Sequence, residues 1–598
     1  MKQKTIQILD NVIECMVLAL PFVVCFILPF GIRWTSGIVG VCLAIVLLLF
    51  VLKNSSLSNS LFKIELSTIL IALFIAWSFI SFFWSIYIDV SLVSLISLVS
   101  CGILFVVVVK DFSNIDKIKR LLLSICLSGL LISLLIVSNK IFNIKSLNSL
   151  SFRLVNSNFL CSYLGLLLPV CLSLIVISKL KVRLVSIVSF LFIFYTVLMT
   201  RDRGGWLQIF VGLVAFIIFL SLNGMIRKKS LFASIFILSI WLIGIFGARD
   251  VIAKFIPKTP NIASEATVSQ RISVWNSTIS LIKEHPIRGT GLGTFQIAYP
   301  QKRNKDIHNL VEYAHNSYLQ LIQELGLVGF LLFVLLAYFS LKNAVKLIKS
   351  SQDYKMKYLY IGIVSACIGL FFEELYGFNL YMPVVSLTFF TFLAALSNKD
   401  HVVDIRDVKY LKSVYFLFCL LLFILGGILF YFSWNLSCSV YYNNKAKSAV
   451  KNNDMDSAID LYNKSIAYEP ADSYLYRDLS RVYYSQAKYW LLDKSQKQEK
   501  INMAKTLLKK SLLLNRFWPD FYIELADIHM FSKEDNIAKT YIDNAISIDK
   551  NNGFFYDILG FYYYKNDDKV LAKKSFLRAL DIDSHDALAK YYLNNFLQ

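Results

Sequence analysis

The chain has 598 residues, of which 57% are hydrophobic, 15% aromatic and only 17% charged, with a mean hydropathy of +0.59. Soluble domains carry about 45–50% apolar residues, so this composition excludes a soluble globular protein and implies one that lives in a bilayer. The formal net charge of +21 calls for no nucleic acid, because a polytopic protein gathers Lys and Arg in its cytoplasmic loops and against anionic lipid.

A helix needs roughly 18 or more apolar residues to cross a bilayer. Thirteen runs answer to that, at about 11–30, 34–52, 66–88, 90–109, 121–138, 159–178, 184–200, 206–222, 231–248, 325–341, 358–372, 380–397 and 413–433. Helix is the expected form, since irregular backbone cannot face lipid. The first run is followed at once by further spans and has no small-residue cleavage site, so it reads as a span and not as a signal peptide. The ten cysteines are scattered, mostly within spans, with no CxxC pair; they read as small core residues.

Orientation follows from the loop charges. With "MKQK" in the cytoplasm, the inner connections carry Lys53 and Lys63, then Lys110, Lys117, Lys119 and Arg120, then Lys179, Lys181 and Arg183. "RKK" at 227–229, "KNAVKLIKSSQDYKMK" at 342–357, and Lys399, Arg406, Lys409 and Lys412 continue the series. The outer connections "GIR" (31–33), "YID" (87–89) and "EELYGFN" (373–379) are nearly bare. Thirteen crossings from a cytoplasmic N-terminus put everything after residue 434 outside.

Arginine on the outer side runs against this bias and needs a reason. "LMTRDRGGWLQ" (198–208) sets Arg201 and Arg203 at the outer end of a span, ahead of two glycines that let backbone approach a ligand. A long outer loop at about 249–324 contributes "SQRISVWNSTISLIKEHPIRGTGLGTFQ" (269–296), in which Arg271 and Trp275 share one face of a helix that ends before Pro286. "EYAHNSYLQ" (312–320) then places His315 and Asn316 at the mouth of the tenth span. A guanidinium fork suits diphosphate oxygens, and a histidine suits removal of a hydroxyl proton. "GTGLGTF" is not a P-loop, and no HExxH, paired-carboxylate or Cys/His metal spacing occurs in the outer loops. Arg33, an outer arginine with no motif around it, is expected to be dispensable.

The polar tail from 434 to 598 repeats. Ala504-Lys505, Ala538-Lys539 and Ala572-Lys573 recur at 34-residue spacing, Ala458 opens a similar stretch, and "QAKYWLLDKSQKQEK" lengthens the repeat that follows it. Small residues return seven positions later at Ser465, Ser511, Ala545 and Ala579, and Ala526 and Gly560 precede two of the alanines by twelve. This is the tetratricopeptide pattern. The whole chain is therefore expected to be all-α: a polytopic helix bundle over 1–433 and an α-solenoid over 434–598, whose expected role is to hold a protein partner.

The order of the outer motifs, "TRDRGGWL", then "R…W…HPIRGTGLGTF", then "AHNSYLQLIQELGLVGFLLF", resembles the bacterial O-antigen ligase and polymerase superfamily. The likeness is strongest over about 190–340 and weaker over 150–180, where "RLVNSNFLCSYLGLLLP" is similar to an Arg- and Asn-rich approach to a span. The resemblance implies a membrane fold of the C-type glycosyltransferase class that uses no metal or other cofactor. It implies inverting transfer of a glycan from an undecaprenyl-diphosphate carrier to a hydroxyl of a glycan, glycolipid or protein acceptor, at the outer face of the cytoplasmic membrane. It implies that Arg203 and Arg271 bind the carrier diphosphate and that His315 is the base, with Arg153, Asn316 and Trp275 as further substrate-binding candidates. Where the family commonly shows Ser-Arg-Gly, this chain has Asp202-Arg203-Gly204. A repeat-unit polymerase of the same superfamily and a non-catalytic exporter or scaffold are the alternatives; an exporter would more naturally line its path with charge inside the spans.

Overall fold

The computed structural model describes residues 2–27, 31–55, 63–142, 157–247, 268–307, 310–397, 402–404 and 411–596. Its first part is built from α1 (Lys2–Ile27), α2 (Ile32–Ser55), α3 (Leu66–Ile80), α4 (Ile88–Asp111), α5 (Ile115–Phe142), α6 (Ser157–Ile177) and α7 (Leu180–Thr200). Then come α8 (Arg203–Leu222), α9 (Lys228–Gly247), α10 (Val268–Glu284), α11 (Ser317–Ser350), α12 (Tyr354–Glu373), α13 (Pro383–Ser397) and α14 (Leu411–Lys451). Among the described residues eleven helices are long and apolar enough to span a membrane, and α9 and α13 fall on the two remaining apolar runs. The chain is a multi-pass membrane protein. One antiparallel pair of three-residue strands, Lys63–Glu65 against Val402–Asp404, joins two loops at one end of the bundle.

The innermost helix is α13. Its 15 residues are all buried, and at 1.5 Å per residue they cover about 22 Å, less than the roughly 30 Å hydrocarbon core. Such a helix is tolerable only where its ends meet protein and not lipid, and α4 and α11 pack along it. Its N-terminal end therefore meets protein, and the connection 374–382 leads into that end.

The two ends of the bundle differ in chemistry. At one, Lys53 pairs with Asp10 (2.9 Å) and Asp111 (2.6 Å), Lys117 with Asp10 (2.7 Å) and Arg120 with Glu14 (2.6 Å). At the other, α11 begins and the tail docks.

The 41 residues of α14 measure about 62 Å, twice the hydrocarbon thickness. Residue 434 lies inside this continuous helix, whose far half packs on α15 (Met455–Tyr468) as the first helix pair of the tail. Three further pairs follow: α16 (Ser473–Tyr489) with α17 (Lys494–Leu514), α18 (Pro519–Phe531) with α19 (Asp535–Ile548), and α20 (Gly553–Lys565) with α21 (Lys569–Ile582). The last helix is α22 (Ala587–Phe596). Ala458, Ala504, Ala538 and Ala572, with Ser465, Ser511, Ala545 and Ala579, are all fully buried where paired helices touch. A Cβ on Gly560 would stand 2.8 Å from the Phe576 ring, which is why that position stays small. The insertion after Gln486 lengthens α17 to 21 residues against 14 in α15, α19 and α21, two extra helical turns.

The tail lies back on the bundle. Arg33 at the start of α2 joins Asp89 (2.8 Å) at the start of α4 to Glu469 (2.6 Å) and Asp472 (3.3 Å) of the tail. The Tyr87 hydroxyl meets Ser473 Oγ at 2.9 Å. Farther along, Arg303 pairs with the buried Asp549 (2.9 Å), and Asn551 Nδ2 donates to the Arg303 carbonyl (2.6 Å). The expectation that Arg33 is dispensable is thus corrected: it has three carboxylate partners and is a tether.

Candidate functional site

Helix ends build the site. The side chain of Asp202 accepts from the amides of Gly204 (3.1 Å) and Gly205 (2.9 Å), starting α8 with Arg203 as its first residue. The carboxylate that departs from the family pattern is thus an N-cap, which satisfies orphan amides of the first turn. Of the two glycines, Gly205 serves packing, since a Cβ there would lie 2.2 Å from Cys161 Sγ on α6; Gly204 lines the pocket.

Asn316 caps α11 in the same way, accepting from Tyr318 and Leu319 (3.0 Å each), while its Nδ2 donates to the Leu375 carbonyl (2.8 Å). This cap fixes the residue before it. His315 sits at φ +52°, a left-handed conformation uncommon for a residue with a side chain, and its carbonyl accepts from Trp275 Nε1 at 3.1 Å. Four residues earlier on the same face of α10, Arg271 Nη1 donates to the Tyr376 carbonyl (3.3 Å), and its Nε is buried without a hydrogen-bond partner. An unpartnered guanidinium N–H is a donor open to a ligand.

Asp202, Gly204, Arg271 and His315 line one small pocket with Asn158, Glu373, Tyr376 and Phe378. Burial, and after it the positive charge of Arg271, lower the His315 pKa to about 4, so the imidazole is neutral with a free lone pair at physiological pH. Arg203 is exposed at the rim and does not line the pocket itself. Trp275 and Asn316 act on the backbone around His315. Arg153 lies outside the described residues.

The glycine turn is a structural dock. Gly289, Gly291 and Gly293 all have positive φ, and so does Gly326, where α11 breaks (φ +68°, ψ −176°). Thr290 N donates to Gln323 O (3.0 Å), Gly291 N to Glu324 O (2.9 Å) and Leu327 N to Pro286 O (2.9 Å). The loop thus pairs backbone to backbone with the broken helix, and a Cβ on Gly326 would stand 1.9 Å from Ile287 O.

The connection "EELYGFN" escaped the sequence reading, which weighed it only for its lack of Lys and Arg. It is the hub of the site. Glu374 bonds the Ser317 hydroxyl and its carbonyl accepts from Ser317 N (3.1 Å). Glu373 accepts from Ser162 (2.6 Å) and Asn379 (2.8 Å), and the Tyr376 hydroxyl donates to Gly204 O (3.1 Å). Two adjacent carboxylates between apolar spans were the available signal, since such groups are buried only for a purpose.

Residues 187–334, which include Arg203, Arg271 and His315, match the O-antigen ligase family model. Residues 440–472 match a tetratricopeptide repeat. The stretch 187–334, about a quarter of the chain, is thus similar to an O-antigen ligase domain. The repeats that follow the ligase domain are of a kind that commonly mediates protein interactions. A TPR repeat-containing protein of Methanocaldococcus jannaschii is 28% identical over 157 residues, covering 25% of this chain and 26% of that protein. The chain therefore matches about a quarter of that relative's length.

Proposed function

We infer that this protein transfers a glycan from an undecaprenyl-diphosphate donor to an acceptor hydroxyl at the outer face of the cytoplasmic membrane, with its N-terminus cytoplasmic and its tail outside. The observation that carries the reading is the neutral His315 held beside the Arg271 guanidinium in one pocket at the mouth of a span. A lipid-linked diphosphate must lie at that depth, because its polyprenyl chain stays in hydrocarbon while its glycan stays in water.

In this reading His315 takes the proton of the acceptor hydroxyl as the oxygen attacks the anomeric carbon. The bond from that carbon to the diphosphate breaks, and its electron pair leaves on the diphosphate oxygen. Arg271, with a buried N–H to give, and Arg203 at the rim neutralise the growing charge. Attack opposite the leaving group inverts the anomeric centre, and two guanidinium groups supply the charge that a metal would otherwise provide.

The test is transfer from a lipid-linked donor by folded, purified variants in detergent, with and without chelator. His315→Ala is expected to lower turnover by a factor on the order of 10²–10⁴ with donor binding nearly intact, and chelator is expected to do nothing. Wild-type rates in that variant, or activity lost to chelator and restored by a divalent metal, overturn the mechanism. Ligase and polymerase share this chemistry and differ in who supplies the hydroxyl. In a deletion strain, full-length carrier-linked chains mark a lost ligase and single repeat units a lost polymerase.

A further inference from the structure

A second, larger cavity of about 620 Å³ lies between the bundle and the tail, within the roughly 300–1,000 Å³ of ordinary small-molecule sites. Its two ends differ. The deep end is walled by Val93, Cys101, Phe333 and Phe390; Cys101 is about 20 Å down α4 from its outer end, well into the hydrocarbon layer. The mouth is roofed by the tail, through Asn443 and Lys447 on successive turns of α14, Tyr474 and Arg477 on α16, and Trp518.

The roof is built to hold something polar with flat faces. Tyr474 and Trp518 stand edge to face at 5.6 Å, and the Arg477 guanidinium lies 5.1 Å from the Tyr474 ring. Asp478, which also lines the cavity, pairs with Arg477 (Nε to Oδ1, 2.9 Å) and lies 3.6 Å from Lys447. Trp518 is 5% exposed, yet its indole N–H has no hydrogen-bond partner, and neither has Asn443 Oδ1. A buried donor and acceptor left open beside aromatic faces and a charged pair would be costly unless a ligand completes them. Saccharide hydroxyls, which donate and accept while their ring faces lie on aromatic rings, fit that set.

An aromatic pair, Tyr313 and Phe378, stands between the two cavities. Phe378 of the small pocket stacks on Tyr313 (4.4 Å) and meets the His315 ring edge-on (4.9 Å), and Tyr313 lines the tail-roofed cavity. A group in the large cavity against Tyr313 is thus separated from the His315 ring by the Tyr313–Phe378 pair.

We propose that the tail-roofed cavity binds the acceptor as a lipid-linked saccharide, with the lipid in the apolar end and the sugar read by Asn443, Arg477 and Trp518 of the repeat tail. The tail is then a wall of the substrate site. A protein acceptor or a free sugar would have no use for an apolar shaft about 20 Å deep. The word acceptor rests on the transfer reading above; occupancy by a lipid-linked saccharide does not.

The test places a photo-crosslinking p-benzoylphenylalanine at Asn443, or at the exposed Ile537 (46% exposed) of the outer tail face as control. The full-length protein is irradiated in membranes of the producing cells, and adducts are identified by mass spectrometry. Saccharide with its lipid attached is expected at 443 and absent at 537. Saccharide without lipid, a polypeptide adduct, or no adduct at 443 overturns the proposal. The same labelling is expected to persist with His315→Ala, so failure of the transfer mechanism shows in turnover and failure of this site shows in labelling. In the transfer assay, with the lipid-linked saccharide fraction of the same membranes as acceptor, Arg477→Ala and Trp518→Phe should raise the acceptor KM about tenfold and move the donor KM less than twofold. Equal shifts in both, in variants that remain monodisperse, would also overturn it.

Discussion

In the proposed mechanism His315 is a base whose surroundings weaken it. Burial and the neighbouring Arg271 hold its pKa at about 4, so the free enzyme keeps the imidazole in its working, deprotonated form down through mildly acid pH. The sign is fixed by chemistry: a general base is lost by protonation, so activity falls as pH drops through its pKa. The kcat/KM profile is expected to stay flat from about pH 8 to about pH 5 and to fall below that, since it reports the free enzyme. Bound diphosphate adds negative charge near the ring and raises its pKa, so the acid limb of kcat should lie at higher pH than that of kcat/KM. An acid limb of kcat/KM near the ordinary histidine value of about 6.5 would refute this. Arg271→Ala should weaken donor binding and turnover together, and Arg271→Lys should rescue only part, because lysine keeps the charge and loses the fork. Arg203→Ala should act in the same direction and less strongly, because Arg203 stands at the exposed rim while Arg271 holds a buried open N–H. Isothermal titration with donor, beside turnover, separates the two losses. His315, Arg271, Trp275 and Asn316 were readable in the sequence because each carries polarity where an apolar chain needs a reason for it. Glu373 and Tyr376 were not, because their roles come from contacts with Ser162 and Gly204, far away in the chain, which no local pattern encodes.

At the level of elements, helices, repeats and small-residue contacts followed directly from apolar runs and the 34-residue period. What did not follow was how the tail meets the bundle, since ion pairs between Arg33 and Glu469 span 436 positions. Around that single guanidinium sit Asp89, Glu469 and Asp472, and burial raises the pKa of both tail carboxylates. Arg33→Ala leaves three acidic groups without their cation, and loss of one partner from a buried pair costs about 3–5 kcal/mol. The tail should then lift from the bundle, seen as faster proteolysis near residues 469–473 and as reduced acceptor use. Raised carboxylate pKa values mean that the docked state binds extra protons, so docking without Arg33 should recover as pH falls and worsen as it rises. Equal proteolysis of variant and parent at pH 8 would show that other contacts, such as Arg303 with Asp549, hold the tail unaided.

The molecule as a whole is polarised from end to end, and the two ends use their charge differently. Lys53, Lys117 and Arg120 are balanced by Asp10, Glu14 and Asp111 of neighbouring helices, a local neutralisation that leaves the Lys and Arg bias of the loops at that end intact as a topological signal. At the other end Arg33 and Arg303 anchor the tail, while Arg271 serves the pocket. In the proposed orientation, positive charge opposite to the bias is retained where it binds something, which would tie the orientation of the chain to the side proposed for its chemistry. The orientation can be measured with single cysteines at exposed sites, Ser113→Cys and Ser350→Cys at the lysine-rich end against Ile287→Cys and Ile537→Cys at the site end. The background needs Cys15, Cys42 and Cys438 changed to serine, since the other seven native cysteines are buried. In sealed cells an impermeant maleimide should label positions 287 and 537 and reach 113 and 350 only after permeabilisation. Strong labelling of position 113 in sealed cells would invert the molecule, move His315 to the cytoplasmic face, and remove the physical basis for a donor presented at the outer surface.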